Sequence, residues 1–338
     1  MKFSEIIGQE KAKSILLKAV KAQRIPHALL FSGIPGTGKK STAKALAMLL
    51  NCHSPSEDGG CGSCRPCRQL LNGNSPDFIS IVPEKKEGRR SPRVVREHIR
   101  EIHKRTSFSP LGRYRVIVID QADSMTDEAA NSFLKLLEEP PEKNIFILNA
   151  VEPLNLLPTI ISRCQRIQFH PIPSSDIAEW LVKNKRLDPD TALVLSKICG
   201  GSLGMAMSLI EKGFLKKREE WLSFLIKLPS MDKDKVLSAA ERYLESKDDI
   251  SNMLMAWQSW LRDMIVVKEA HEKELLINRD LSHMAERISD RYSVKELING
   301  LMLIHKAEHD IYKNRNMSLI IKNTLLGLWK LGAQKGLS

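Results

Sequence analysis

No apolar run in the 338 residues approaches the roughly 18 that a membrane-crossing helix needs. No membrane partner is therefore expected. The first ten residues, Met-Lys-Phe-Ser-Glu-Ile-Ile-Gly-Gln-Glu, carry acids early and contain no secretory apolar core. A cytoplasmic location is the expectation. No tandem repeat or low-complexity tract appears. Aromatic residues make up 5% of the chain, and none interleaves the main basic stretch until Phe108 and Tyr114. Stacking of single-stranded bases is therefore not indicated.

What is present is ample material for a core. The chain is 42% hydrophobic and 27% charged, and its length suits two or three domains. Formal charge is +12 and unevenly placed. Residues 83–115 hold eleven Lys and Arg against four Glu, a net +7, so over half of the excess lies in one tenth of the chain. Such a patch suits nucleic acid or an acidic partner, and equally a solvated helix face beside a loop.

The strongest chemical signal is near the start. Residues 28–31, Ala-Leu-Leu-Phe, read as a buried strand, and an apolar helical pattern runs over 43–50. Between them lie Gly33, Gly36, Thr37, Gly38, Lys39, Lys40 and Ser41. Strand, glycine-rich loop and helix make a phosphate-binding loop: the glycines let backbone amides face an anion, and Lys39 reaches terminal phosphates. One position departs. The residue after the lysine should carry a hydroxyl for magnesium; here it is Lys40, with Ser41 one place late. The sequence leaves open whether this loop holds ATP and Mg2+.

Cys52, Cys61, Cys64 and Cys67 follow, in the spacing C-x8-C-x2-C-x2-C. Four thiolates this close can surround one tetrahedral zinc, and the glycines at 59, 60 and 62 let the chain wrap the ion. Disulfides and an iron–sulfur cluster are the alternatives. With four protein ligands the role would be structural. Cys164 and Cys199 read as ordinary buried thiols.

Further on, Val94, Val95, Ile99 and Ile102 recur at helical spacing. The continuous β-branched run 116–119 reads as a central parallel strand, ending in Asp120 where such sheets bind ligands. Asp120 is the natural magnesium-side carboxylate. Gln121 stands where an ATPase would carry a glutamate, and it cannot act as a base. Residues 127–139 read as a helix, 145–148 and 167–169 as strands, and the prolines at 171 and 173 as a boundary. Beyond it come small helices over 174–209 and longer ones over 214–228, 236–244, 253–267, 294–311 and 319–331, with Trp221, Trp257, Trp260 and Trp329 packing between them.

Together these residues resemble the clamp-loader branch of the AAA+ ATPases. The matching pieces are Ile6-Ile7-Gly8-Gln9, the loop 33–39, the four cysteines, Val118-Ile119-Asp120, the run 131–141 (Asn-Ser-Phe-Leu-Lys-Leu-Leu-Glu-Glu-Pro-Pro) and Ser162-Arg163-Cys164. Leu275-Leu276-Ile277-Asn278 and Asn314-Arg315-Asn316 are similar to the helical remainder of bacterial DNA polymerase III loader subunits. The resemblance implies an AAA+ parallel-sheet domain over 1–170 with the cysteine insertion at 52–67, a helical lid over 171–210, and an all-α collar over 211–338. It implies a hetero-pentamer with gamma/tau-type and delta-type subunits that loads a sliding clamp onto primer–template DNA. It also implies that Arg163 is a finger reaching a neighbour's ATP site, where it would stabilise charge on the transferred phosphoryl group.

The departures indicate which kind of subunit this is. Lys40 and Gln121 remove two requirements of an active site, and Gly204 stands near where the lid of an active loader carries an arginine. A polar sensor at the end of the strand 145–148 is not evident, since Ala150 and Val151 follow Asn149. Single groups of this kind are worth about 10²–10⁴ in rate. A non-hydrolysing subunit is the first reading. An active gamma/tau-type ATPase is the second, and a free-standing zinc-containing DNA-binding protein using the 83–115 patch is the third.

Overall fold

The computed structural model describes residues 1–84, 92–242, 247–270, 272–313 and 315–333. Most of the basic loop expected over 83–92, and Asn314, lie outside the described residues. The chain divides into two compact units. The first is Met1–Asp176 with Gly201–Gly204; the second is Ile177–Gly200 with the residues from Met205 onward.

In the first unit the described residues form a parallel sheet of order β2-β3-β4-β1-β5. The strands are β1 (Ala28–Ser32), β2 (Phe78–Ile81), β3 (Arg115–Ile119), β4 (Asn144–Ala150) and β5 (Gln165–Gln168). β1, β3 and β4 are buried throughout, as continuous apolar runs require when helices cover both faces. Alternate side chains divide between two cores. Leu29, Phe31, Val116, Val118, Ile145 and Ile147 point to one. Leu30, Ile117, Ile119, Phe146 and Leu148 point to the other. The first core is closed by α1 (Glu10–Lys21), α2 (Lys39–Asn51) and α3 (Arg65–Leu71). The second is closed by α4 (Arg96–Thr106), α5 (Asp127–Glu138) and the short α6 (Pro158–Ile161). Phe133 of α5 meets Phe146 of β4 edge-on at 5.5 Å, a favoured aromatic geometry.

Three expectations change. The helix expected from Val94 begins at Arg96, because the Val94 carbonyl accepts from the Thr126 amide and Val94 bridges to Met125 instead. β4 extends to Ala150, pairing with Ser32 of β1, so the polar Asn149 is inside a strand. Arg115, counted in the basic stretch, is buried at the start of β3. Its guanidinium donates to the carbonyls of Arg105 (2.6 Å), Phe108 (2.8 Å) and Ser109 (3.2 Å). It closes the α4–β3 connection rather than facing a partner. Gln9, from the first matching motif, likewise holds the chain together: it donates to the His170 carbonyl at 2.6 Å and accepts from the His170 amide at 2.9 Å.

The second unit contains α8 (Pro189–Ile198), α10 (Phe214–Lys227), α11 (Lys233–Arg242), α12 (Lys247–Glu269), α13 (Ser282–Ser289), α14 (Val294–Tyr312) and α15 (Met317–Ala333). Two further helices, α7 (Ser174–Lys185) and α9 (Leu203–Glu211), cross the division between units. Trp257 and Trp260 of α12 are fully buried, and the Trp257 indole donates to the Trp221 carbonyl at 2.8 Å. Buried Asp263 accepts from the amides of Ile277 (2.9 Å) and Asn278 (2.7 Å), and Asn278 accepts from buried Arg218 at 2.7 Å. The Leu275–Asn278 motif is thus a satisfied polar clasp on α12, the condition under which buried charge is tolerated. Among the described residues no single helix is long and apolar enough to cross a bilayer.

Candidate functional site

The phosphate loop leaves β1 beside the sheet's carboxyl edge and enters α2 at Lys39. Gly33 has φ +147°, and a Cβ there would run into the Phe169 carbonyl, so only glycine fits this turn. Lys39 is 8% exposed. Its Nζ donates to the carbonyls of Gly33 (2.5 Å) and Ile34 (2.8 Å), and the Thr37 hydroxyl donates to Ile34 at 2.9 Å. Burial pushes the Lys39 ammonium below its ordinary value, against the pull of the Asp123 and Asp120 carboxylates. The Pro35 carbonyl accepts from the Ser202 hydroxyl at 2.7 Å, and the Gly36 carbonyl from the Gly204 amide at 3.0 Å. Gly36, at φ +76°, has no room for a side chain against Ser202. A Cβ at Gly204 would lie 2.8 Å from the Gly36 Cα. Glycine at 204 is therefore a packing requirement, and the arginine of active loader lids could not start from this position.

Asp120 follows β3, and both of its oxygens are engaged. Oδ1 accepts from Asn149 Nδ2 at 2.6 Å, and Oδ2 pairs with Lys40 Nζ at 2.9 Å. Lys40, not Ser41, is the side chain that meets this carboxylate. In a phosphate-loop ATPase those two positions hold the magnesium ion. Here the cation is the chain's own. Two unit charges about 4 Å apart near a protein surface repel by about 4 kcal/mol, less when one is as exposed as Lys40. The residues present therefore do not fit a magnesium ion at Asp120 while Lys40 is paired with it. Gln121 is exposed in a left-handed turn (φ +47°).

Two residues here were not singled out from the sequence. Asn149 supplies the polar group thought to be missing from this strand end; it is 4% exposed, and its Oδ1 has no partner among the described residues. Asp123 accepts from the amides of Val151 (3.1 Å) and Glu152 (2.9 Å), fixing the turn after β4. A polar residue directly after the apolar run 145–148 was the available signal for Asn149.

Arg163 is not gathered into this loop. It lies after α6, pairs with Glu138 at 3.0 Å, and donates to the Thr159 carbonyl at 3.1 Å. Both partners of the ion pair are substantially exposed (38% and 49%), so the guanidinium can exchange Glu138 for another anion.

At the other end of α2 the four cysteines converge. Cys52 caps α2, Cys64 caps α3 and Cys67 lies in its first turn. Their sulfurs all lie within 4.8 Å of one another, and Cys52 and Cys64 are 3.9 Å apart. Tetrahedral zinc with Zn–S of about 2.3 Å requires S–S separations of about 3.8 Å. The set therefore fits one metal ion, and all four thiols are unbridged. The Cys61 sulfur receives the Ser63 hydroxyl (3.4 Å) and the Cys64 amide (3.3 Å), which hold its thiol at about 5. The insertion is tied to the amino terminus: the Asp58 carboxylate takes the Ser4 amide (3.1 Å) and hydroxyl (2.5 Å). Cys199 is buried as expected; Cys164 is half-buried, and burial pushes its thiol up to about 12.

Of the basic stretch, Arg93, Arg96, Arg100, Lys104 and Arg113 are exposed, whereas Arg105 pairs with Glu101 at 2.5 Å.

Residues 8–173 match the family described as DNA polymerase III, delta subunit, and residues 212–330 match DNA polymerase III, delta subunit, C terminal. The chain is 28% identical over 334 residues to DNA polymerase III subunit tau of Bacillus subtilis (strain 168), covering 92% of this chain and 58% of that protein. It is 29% identical over 285 residues to DNA polymerase III subunit delta' of Escherichia coli (strain K12), covering 83% and 82%. A solved gamma subunit-related protein from Thermotoga maritima is similar at 18% identity and a TM-score of 0.43, over 94% of this chain and 99% of that one.

Proposed function

The chain belongs to the DNA polymerase III delta-subunit family of clamp-loader subunits, and on that premise we propose that it is a delta-prime-like stator that does not hydrolyse ATP itself. It acts by presenting Arg163 to the ATP site of a neighbouring gamma/tau-type subunit, in a hetero-pentamer that also contains a delta-type subunit. There the guanidinium would stabilise charge on the transferred phosphoryl group. The assembled loader opens a sliding clamp and places it on primer–template DNA. The α/β domain, lid (171–210) and collar (211–338) take the family's three roles, and the cysteines Cys52, Cys61, Cys64 and Cys67 hold a structural zinc with no open coordination position.

The observation that carries the stator reading is the ion pair between Lys40 and Asp120. The magnesium-side carboxylate of this chain is already neutralised by its own lysine, and Gln121 offers no base. The purified chain, given ATP, Mg2+, clamp and DNA without other loader subunits, is expected to show no ATPase above background. Steady turnover would overturn the reading. It would favour the second one, an active gamma/tau-type ATPase, for which the intact Gly33-x4-Gly38-Lys39 loop and the likeness to the tau subunit of B. subtilis speak.

A further inference from the structure

The phosphate loop of this chain is complete in every part except the one that holds the metal. The carbonyls of four consecutive residues, Gly33, Ile34, Pro35 and Gly36, are each taken by a donor of the chain itself: Lys39 Nζ on the first two, the Ser202 hydroxyl on the third and the Gly204 amide on the fourth. The acceptors of the loop are thus turned inward, which leaves its donor side to face a ligand, as an anion cradle requires. Beside it stands a side chain more than nine-tenths buried with an unpartnered atom, Asn149 Oδ1. A merely vestigial turn does not need a buried lysine, a fixed loop rim and a buried polar strand end together. The one foreign component is Lys40, whose ammonium sits 2.9 Å from the Asp120 carboxylate.

We propose that Lys40 is a built-in replacement for the divalent cation, so that this site takes a nucleoside di- or triphosphate without magnesium. The ammonium neutralises Asp120 and stands next to Lys39 at the start of α2, supplying positive charge beside the phosphates. A bound nucleotide held this way has no metal to activate a water or to bridge its outer phosphates, so it acts as a fixed structural ligand of the first unit. The inference rests on the non-hydrolysing reading above.

The test is equilibrium binding of a fluorescent ADP analogue to the full chain, in excess Mg2+ and in excess EDTA, with thermal melts to establish folding. The wild-type dissociation constant is expected to agree within about two-fold between the two conditions. Lys40→Ser restores the hydroxyl and frees Asp120, so Mg2+ should now tighten binding by about ten-fold or more. Lys40→Met removes the charge and frees Asp120 without restoring the hydroxyl, so binding in EDTA should weaken and Mg2+ should recover less of it than in Lys40→Ser. Wild-type binding that requires Mg2+ would overturn the inference, as would a folded wild-type chain that binds the analogue in neither condition. Turnover by the isolated chain would defeat the stator reading, whereas magnesium-dependent binding without turnover would defeat this inference alone.

Discussion

The two ends of α2 make an instructive pair. At the carboxyl end, four thiols gather within 4.8 Å of one another. At the amino end, the Asp120 carboxylate is already paired with Lys40. Four thiols this close have the spacing for one metal ion, and binding it would release their protons, since four thiolates without an ion would repel one another. The carboxylate is comfortable as it stands, with Asn149 on one oxygen and Lys40 on the other. A helix of 13 residues, about 20 Å long, separates four clustered thiols from a carboxylate already paired with a lysine. The difference lies in the charge balance around the two sets of ligand-type residues.

The largest effect is expected at the cysteines. Metal analysis should find about one zinc per chain, and paired Cys64→Ser and Cys67→Ser replacement should abolish it and lower the melting temperature by more than about 10 °C, because metal affinity in such clusters is folding energy. Chelating Mg2+ should leave the same melt unmoved. A metal-free variant that melts like the wild type would erase the contrast from the cysteine side. A second effect is kinetic. With its thiol pushed up to about 12 by burial, Cys164 stays protonated at neutral pH, and its alkylation at pH 8 should be slower than that of an ordinary exposed thiol by about 10³-fold. Exposed Cys61 should alkylate rapidly once the metal is stripped, and mass spectrometry of the labelled peptides separates the two. Asp120→Asn removes the partner of a half-exposed lysine and should cost about 1 kcal/mol in urea unfolding. The smallest change belongs to Glu138→Gln. It releases Arg163 from an exposed ion pair and should move stability by less than about 0.5 kcal/mol, which would confirm that the guanidinium is lightly held.

Much of this is legible in the sequence. β1, β3 and β4 stand out because a strand covered on both faces reads as a near-continuous apolar run, and the loop 33–39 follows from the backbone freedom it demands. The cysteine spacing alone pointed to convergence. What could not be read was which polar atoms meet across the sheet. Arg115 looked like patch charge until the α4–β3 connection folded its carbonyls onto it. Asn149 falls just beyond the strand expected over 145–148, which in fact continues to Ala150. Gly204 read as a missing arginine; its contact with Gly36 shows that the position excludes any side chain. The eight-residue α13 was not foreseen, being too short for its apolar spacing to register. The contacts of Arg115, Asn149 and Gly204 depend on residues distant in sequence, where local pattern carries no information.

The central claim is that this chain's contribution to catalysis lies in a neighbour's site, through Arg163, and not in its own loop. The most direct test is ATPase measured on the reconstituted loader with clamp and primer–template DNA, comparing Arg163→Ala with Lys39→Ala in this subunit alone. Loss of a finger supplied in trans should lower the rate by about 10³-fold or more, while Lys39→Ala should leave it within about two-fold. An unchanged rate for Arg163→Ala, or a collapse of the rate with Lys39→Ala in a normally assembled complex, would contradict the account.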